Sequence, residues 1–261
     1  MNINQAVKYM SSTFHKNQQG DMSPCQNREV CCCQFKNKNL AIFDLDNTLL
    51  KGDSDYYWGE FLVKKGLVDK KIYSEANQKF YTDYKNGCLD IKEFSEFVFA
   101  VLKKYPLDLM TTIRDEYVKN IIQPMITKRS YDLVKKHRDM GDFLMIITAT
   151  NSFITSKIAQ LFKIENLLAT DPEFINGKFT GKLSGTACFG EGKLVRLNQF
   201  LKNNPINYDK SYFYSDSIND LPMLQWADIA IATNPDERLK TIALLKKWQI
   251  IKTYNNNADD G

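Results

Sequence analysis

The chain has 261 residues, 43% of them apolar and 25% charged, enough for one sizeable core with an insert but not for a multidomain array. Lys and Arg number 35 against 31 Asp and Glu, a net charge of +4 that is too mild to specify a nucleic acid or membrane-surface partner. With 16 Phe, 13 Tyr and 3 Trp beside only 12 Gly, a disordered or collagen-like chain is excluded.

Residues 1–39 are polar, lack periodicity and read as a flexible extension. Four of the six cysteines crowd it: Cys25, Cys31, Cys32 and Cys33. Their spacing matches no two-by-two zinc pattern, and Cys88 and Cys188 stand alone, so neither a metal knuckle nor a disulfide framework is expected. The first twenty residues hold no apolar secretory core, and no run approaches the roughly 18 apolar residues that cross a bilayer. A reduced, cytoplasmic chain with no membrane or nucleic acid partner is expected; nothing specifies an oligomeric state.

Ordered pattern begins at Leu40. The run Leu40-Ala41-Ile42-Phe43 is short, apolar and ends in small polar residues, as a buried parallel strand does. Further strands are expected at 143–147, 212–214 and 229–232. Helical patterns separate them at 131–140, stopped by Gly141, at 152–161 after an Asn151 N-cap, at 192–201 and at 221–226. Alternation of this kind predicts an α/β fold with a parallel sheet covered on both faces. Between about 54 and 126 only amphipathic helical patterns occur, including 91–102, with Phe94, Phe97, Val98 and Val101 on one side, and 107–122. This block is expected to be an inserted all-helical cap. Phe174-Ile175-Asn176-Gly177-Lys178-Phe179 carries the Asn-Gly centre of a tight hairpin. The domain plan is therefore an extension (1–39), a core (40–53 and 127–252), a cap (54–126) and a disordered tail (253–261).

In open parallel sheets, sites form beyond the carboxyl ends of the strands. Asp44-Leu45-Asp46-Asn47-Thr48 follows the first strand, Thr148-Ala149-Thr150-Asn151 the second, and Ser215-Asp216-Ser217-Ile218-Asn219-Asp220 a later one. Lys193 opens a helix between them. Three carboxylates within about 4 Å repel by several kcal/mol at an effective dielectric near 20, which a hard divalent cation relieves. Mg2+ is the usual choice where phosphate also binds, and the lysine and hydroxyl suit phosphoryl oxygens. Of the two aspartates, Asp44 is assigned as nucleophile toward phosphorus. Asp46, its pKa raised by the like charge beside it, is assigned as acid/base.

Phe43 to Leu50, Thr148, Lys193 and 215–220 together resemble the four motifs of the haloacid dehalogenase superfamily. Within it the chain is similar to the phosphoserine-phosphatase-like subfamily IB, in particular its bacterial histidinol-phosphatase-type group. Gly52-Asp53-Ser54-Asp55-Tyr56, 148–154 and Asn234-Pro235-Asp236 match as well, so the likeness covers about 40–252. It implies a HAD-like (Rossmannoid) core with an inserted C1 cap, acting as a Mg2+-dependent phosphomonoesterase on a small-molecule phosphate ester. The carboxylates of Asp44 and Asp216 and the carbonyl of Asp46 would bind Mg2+. Thr148, Lys193, Asn219 and backbone N–H groups near Leu45 and Ala149 would meet phosphoryl oxygens, and Asp220 would orient Lys193 or the metal shell. Asp53, nine positions past the nucleophile, would touch a substrate amine.

Two departures bear on the substrate. Ala149-Thr150 replaces the Gly-Gly of phosphoserine phosphatases, and the stretch near Leu89 lacks their carboxylate-binding arginine; Arg114 and Arg129 are the nearest candidates. An amino phosphate without a carboxylate, such as histidinol phosphate, fits better than phosphoserine. Rival readings are a phosphotransferase or mutase, and a receiver-like signalling module, which would have no use for Asp46. A dehalogenase would need neither Asp46 nor Asp216.

Overall fold

The computed structural model describes residues 38–255; the cysteine-rich stretch 25–33 and the tail beyond Asn255 lie outside the described residues. Strand β1 (Leu40–Phe43) is buried along its whole length because it runs through the middle of a seven-stranded sheet. Around it lie β2 (Phe143–Asn151), β3 (Asn166–Ile175), β4 (Lys178–Ser184), β5 (Ser211–Ser215), β6 (Ile229–Thr233) and β7 (Gln249–Ile251). The order is β4-β3-β2-β1-β5-β6-β7, parallel except for β4. Period-two alternation splits the apolar residues between two cores. Ala41, Phe43, Ile146 and Tyr214 face one, while Leu40, Ile42, Met145 and Phe213 face the other.

Helices α1 (Ser54–Lys64), α2 (Lys70–Asn86), α3 (Ile91–Lys104) and α4 (Leu107–Tyr117) follow one another between β1 and β2. Asp53, Asp69 and Asp90 cap the first three through their carboxylates, and Gly87, at φ 74°, ends α2 in the left-handed conformation that glycine adopts without strain. The single helix expected over 107–122 changes to a π-helical turn at Val118–Ile122. A bridge between Leu50 and Ile126 and the bond from Lys51 N–H to the Met125 carbonyl bring the two ends of this insertion together.

Besides a three-residue helical turn at Gln123–Met125, the remaining helices are α5 (Lys128–Asp139), α6 (Ser152–Leu161), α7 (Glu191–Asn203), α8 (Leu221–Trp226) and α9 (Glu237–Leu245). Asn151 caps α6 as expected, its Oδ1 accepting from Ile154 N–H at 3.1 Å. The hairpin is also present, with Ile175 paired to Lys178 across Asn176 (φ 50°) and Gly177 (φ 80°). Behind β1, buried His137 contacts Asp142 at 2.7 Å and the Tyr214 hydroxyl at 2.7 Å; Asp142 also accepts from Asn39, which anchors the start of the strand.

The structure adds strand length that local pattern did not indicate: β2 continues through Asn151, β3 begins at Asn166, and β7 forms a sheet edge. It also corrects the start of the disordered tail. Thr253 is only 2% exposed, because its backbone and hydroxyl bond to Asn234, Thr48 and Thr127. Among the described residues, no helix is long and apolar enough to cross a membrane.

Candidate active site

Asp44, the first residue after β1, accepts from Lys193 Nζ at 2.7 Å through Oδ1 and lies 3.3 Å from the Thr48 hydroxyl through Oδ2. Lys193 opens α7 and is 3% exposed; its other partner is Asp220 Oδ2 at 2.7 Å, which also accepts from Ser215 Oγ at 2.7 Å. The β1, β5 and α7 ends are thus tied by one buried ammonium. Burial disfavours the Lys193 charge, but Asp220 and Asp44 outweigh it and hold the group protonated. Burial pushes the Asp44 carboxyl up to about 7, with the Lys193 charge opposing that shift.

Asp46 belongs to a different network. Its Oδ1 accepts from Ser54 N–H at 2.6 Å, at the start of α1, and its Oδ2 from the Thr150 hydroxyl at 2.7 Å. Thr148 Oγ1 is 3.5 Å from the same Oδ2. Burial raises the Asp46 carboxyl to about 6, with the Asp53 charge adding to the rise. In the tight turn after Phe43 the N–H groups of Leu49 and Leu50 both reach the Leu45 carbonyl, and the Asp44 and Asp46 carboxylates on that turn take different hydrogen-bond partners.

Thr148, Ala149, Lys193, Asp53 and Asp220 line one cavity with Asp44 and Asp46, with room for about 50 Å³ and partly open to solvent. Asn219 does not join them. The 3-10 turn Ile218–Asp220 turns Asp220 inward and Asn219 toward the insertion, where its Nδ2 donates to the Tyr84 carbonyl at 3.1 Å. Asp53 lines the cavity but is already committed in part, since its Oδ1 caps α1 through Asp55 and Tyr56 N–H. Arg114 bonds to Asp115 and the Phe153 carbonyl, and Arg129 to Asn255; neither lines the cavity.

Three contributors were not singled out from sequence. Thr150, noted only as a departure, gives Asp46 its 2.7 Å hydroxyl partner. Asp55 faces the cavity beside Asp53 and accepts from Asn151 Nδ2 at 3.0 Å; burial drives its carboxyl well above the ordinary range. Tyr84 projects from α2 into the same cavity. Asp55 sits two residues past Asp53 in the stretch that follows the first motif, which was the available signal. For Tyr84 there was none, because only packing brings α2 over the strand ends.

Asp216 lies at the end of β5, its Oδ1 3.3 Å from the same Thr48 hydroxyl that approaches Asp44. One hydroxyl proton therefore serves two buried carboxylates. Burial, then the Asp44 charge, raises the Asp216 carboxyl well above its ordinary range. Such a pair of hard oxygen donors fits a divalent cation, which would relieve the repulsion that a single hydroxyl leaves in place. Among the described residues no three His, Cys, Asp or Glu side chains form a metal cluster. With the Asp46 carboxylate turned to Ser54 and Thr150, that residue has only its carbonyl to offer as a third ligand.

The comparisons agree with this architecture. The description "haloacid dehalogenase-like hydrolase" belongs to the family that matches residues 41–225, and the chain belongs to that family. The histidinol-phosphatase of Neisseria meningitidis is 43% identical over 218 residues, 82% of this chain and 98% of that protein. The phosphoserine phosphatase SerB1 of Mycobacterium tuberculosis is 30% identical over 215 residues, 80% of this chain and 69% of its own. Within the family, then, this is a phosphoserine-phosphatase-like enzyme, a phosphoric monoester hydrolase. A solved structure of a Bordetella pertussis protein of unknown function is 38% identical, with a TM-score of 0.80 over 84% of this chain and 100% of that one. A substrate-bound phosphoserine phosphatase shares the fold, with a TM-score of 0.61 at 20% identity over 83% of this chain and 93% of that one.

Proposed function

We propose that the enzyme hydrolyses a small amino-bearing phosphate monoester through an aspartyl-phosphate at Asp44. The observation that carries this reading is that the two aspartates have different partners. Asp44 is paired with a permanent cation, whereas Asp46 is held by N–H and hydroxyl donors with its carboxyl lifted to about 6. The first can serve as nucleophile while the second exchanges a proton near neutral pH.

An Asp44 carboxylate oxygen forms a bond to phosphorus as the ester P–O bond breaks, and the departing oxygen takes the proton of Asp46. Asp46, now ionised, removes a proton from water that attacks the phosphorus, which regenerates Asp44 and releases phosphate. Lys193 holds phosphoryl oxygens and is itself held by Asp220, while Thr148 and the Ala149 backbone border the same space. Mg2+ on the Asp44 and Asp216 carboxylates and the Asp46 carbonyl would supply positive charge that keeps Asp44 ionised and neutralises the phosphoryl group.

The charges around the cavity support an amino substrate. Asp44, Asp46, Asp53, Asp55 and Asp220 line it, and Lys193 is the sole basic side chain among the described lining residues. A substrate carboxylate would meet no arginine and a field of its own sign, whereas an ammonium beside Asp53 and Asp55 would be favoured. The aromatic wall of Tyr56, Phe80, Tyr81, Phe94 and Phe189 accommodates a flat ring. Histidinol phosphate satisfies both requirements, and the 43% identical relative is named for that substrate. Phosphate release should be measured from histidinol phosphate, phosphoserine and a neutral ester, with and without Mg2+. A kcat/KM for histidinol phosphate at least about tenfold above that for phosphoserine is expected; the reverse order overturns the assignment.

A further inference from the structure

Residues beyond the span of the family match converge on the loop that carries the proposed nucleophile. The carbonyl of Asn47 accepts from Asn234 Nδ2 at 2.8 Å and from the Tyr254 hydroxyl at 3.2 Å, and the carbonyl of Thr48 accepts from Thr253 Oγ1 at 2.8 Å. These carbonyls turn outward because Asn47 is left-handed (φ 55°) and the following amides fold back onto the Leu45 carbonyl. Thr253 has every polar group engaged: its N–H donates to Asn234 Oδ1 at 2.9 Å, its Oγ1 accepts from Asn234 Nδ2 at 2.6 Å, and its carbonyl accepts from Thr127 Oγ1 at 2.6 Å. Thr127 caps α5, the first helix after the insertion. The 2% exposed Thr253 is therefore a node joining the nucleophile loop, the end of β6 and the exit of the helical insertion.

The loop it grips places Thr48 Oγ1 3.3 Å from both Asp44 Oδ2 and Asp216 Oδ1. We infer that Thr253, seconded by Tyr254, is a positioning residue that sets the spacing of the Asp44–Asp216 pair and through it the enzyme's affinity for a divalent cation. This rests on the reading of that pair as the cation site. Neither side chain lines the cavity; each acts by holding the carbonyls behind the loop.

The test uses the full chain with Thr253→Val, which removes the hydroxyl at constant shape, Thr253→Ser, which keeps it, and Tyr254→Phe. Two quantities are read: the Mg2+ half-saturation for p-nitrophenyl phosphate hydrolysis, and the rise in Tm that Mg2+ alone produces without substrate. T253V should need about fivefold more Mg2+, the factor commanded by one lost hydrogen bond, and show a smaller Mg2+-induced rise. T253S should stay near wild type, and Y254F should shift about twofold in the same direction. A folded T253V with wild-type half-saturation and wild-type Mg2+ stabilisation overturns the inference, whatever its Tm in the absence of metal. If T253V does not fold, an unshifted Y254F overturns it. Failure of the underlying reading has a different signature: the wild-type enzyme itself would show neither a Mg2+ requirement nor Mg2+ stabilisation.

Discussion

At the strand ends, Lys193, Asp44, Asp220 and Ser215 are joined by contacts of 2.7 Å, and Asp46 by contacts of 2.6 and 2.7 Å. Across the same cavity, the wall supplied by the insertion is made of rings: Tyr56 against Tyr81 at 5.1 Å and Phe80 against Phe94 at 5.3 Å between centroids. The rim is organised before any substrate arrives, so its charges need little rearrangement during reaction. The wall offers area and shape with few directional bonds, which suits selection among ligands. Asp53 and Asp55, at the seam where α1 begins, are the polar groups by which the wall side can discriminate charge.

Substitutions at the rim should therefore strike turnover and stability, and those at the seam mainly KM. Asp44→Asn should lower phosphate release by about 10⁴-fold or more, because the attacking oxygen is gone; appreciable turnover would break the distinction at its strongest point. For Asp46→Asn a loss of about 10²–10⁴-fold is expected, with phosphoenzyme accumulating from activated esters in rapid-quench experiments; a phosphoenzyme level equal to wild type would remove the proton-transfer role. Lys193→Ala leaves Asp44 and Asp220 buried without their cation and should cost about 3–5 kcal/mol in denaturant unfolding, an effect no single wall aromatic should produce through charge. Asp53→Ala should raise KM about tenfold for amino phosphates with little change for neutral esters; equal effects on both would return Asp53 to a purely capping role.

The smallest effect concerns pH. Asp44 and Asp46 have folded-state values of about 7 and about 6, above the ordinary carboxylate value of 3.8. The folded chain then binds more protons than the unfolded chain between about pH 4 and 7. The stability these two groups contribute is present at low pH and lost as pH rises through that window. In chelator, Tm should fall between pH 5 and 7.5 relative to an Asp44→Asn, Asp46→Asn double variant, and Mg2+ should recover part of the wild-type loss. A flat difference would show that the rim does not strain its acids.

Short apolar runs ending in Asp, Thr or Ser, separated by helical spacing, carried the strand-end plan by themselves, because the period of the pattern and the residue type at its end are local properties. Asp44, Asp46, Thr148, Asp216 and Asp220 were legible in that way, and Lys193 at the start of a helical pattern. Partnerships were not. Nothing in Thr150 announces a 2.7 Å bond to Asp46, nor in Asn219 that its amide faces Tyr84 and not the Lys193 rim. Nor does local pattern show that Asp44 pairs with Lys193 while Asp46, two residues on in the same turn, pairs with Ser54 and Thr150.

Residue type and local period thus determined which side chains stand at the carboxyl edge of the sheet and that helices fill the gap after the first strand. Which acids share the Lys193 ammonium, which one is shielded among hydroxyls, and why Thr253 is packed behind the Asp44–Thr48 loop instead of trailing into solvent were decided only by tertiary structure. The reason is physical: burial and hydrogen bonding join residues 104 and 205 positions apart, as in Thr150 to Asp46 and Thr253 to Thr48, and no local pattern encodes a partner at that distance.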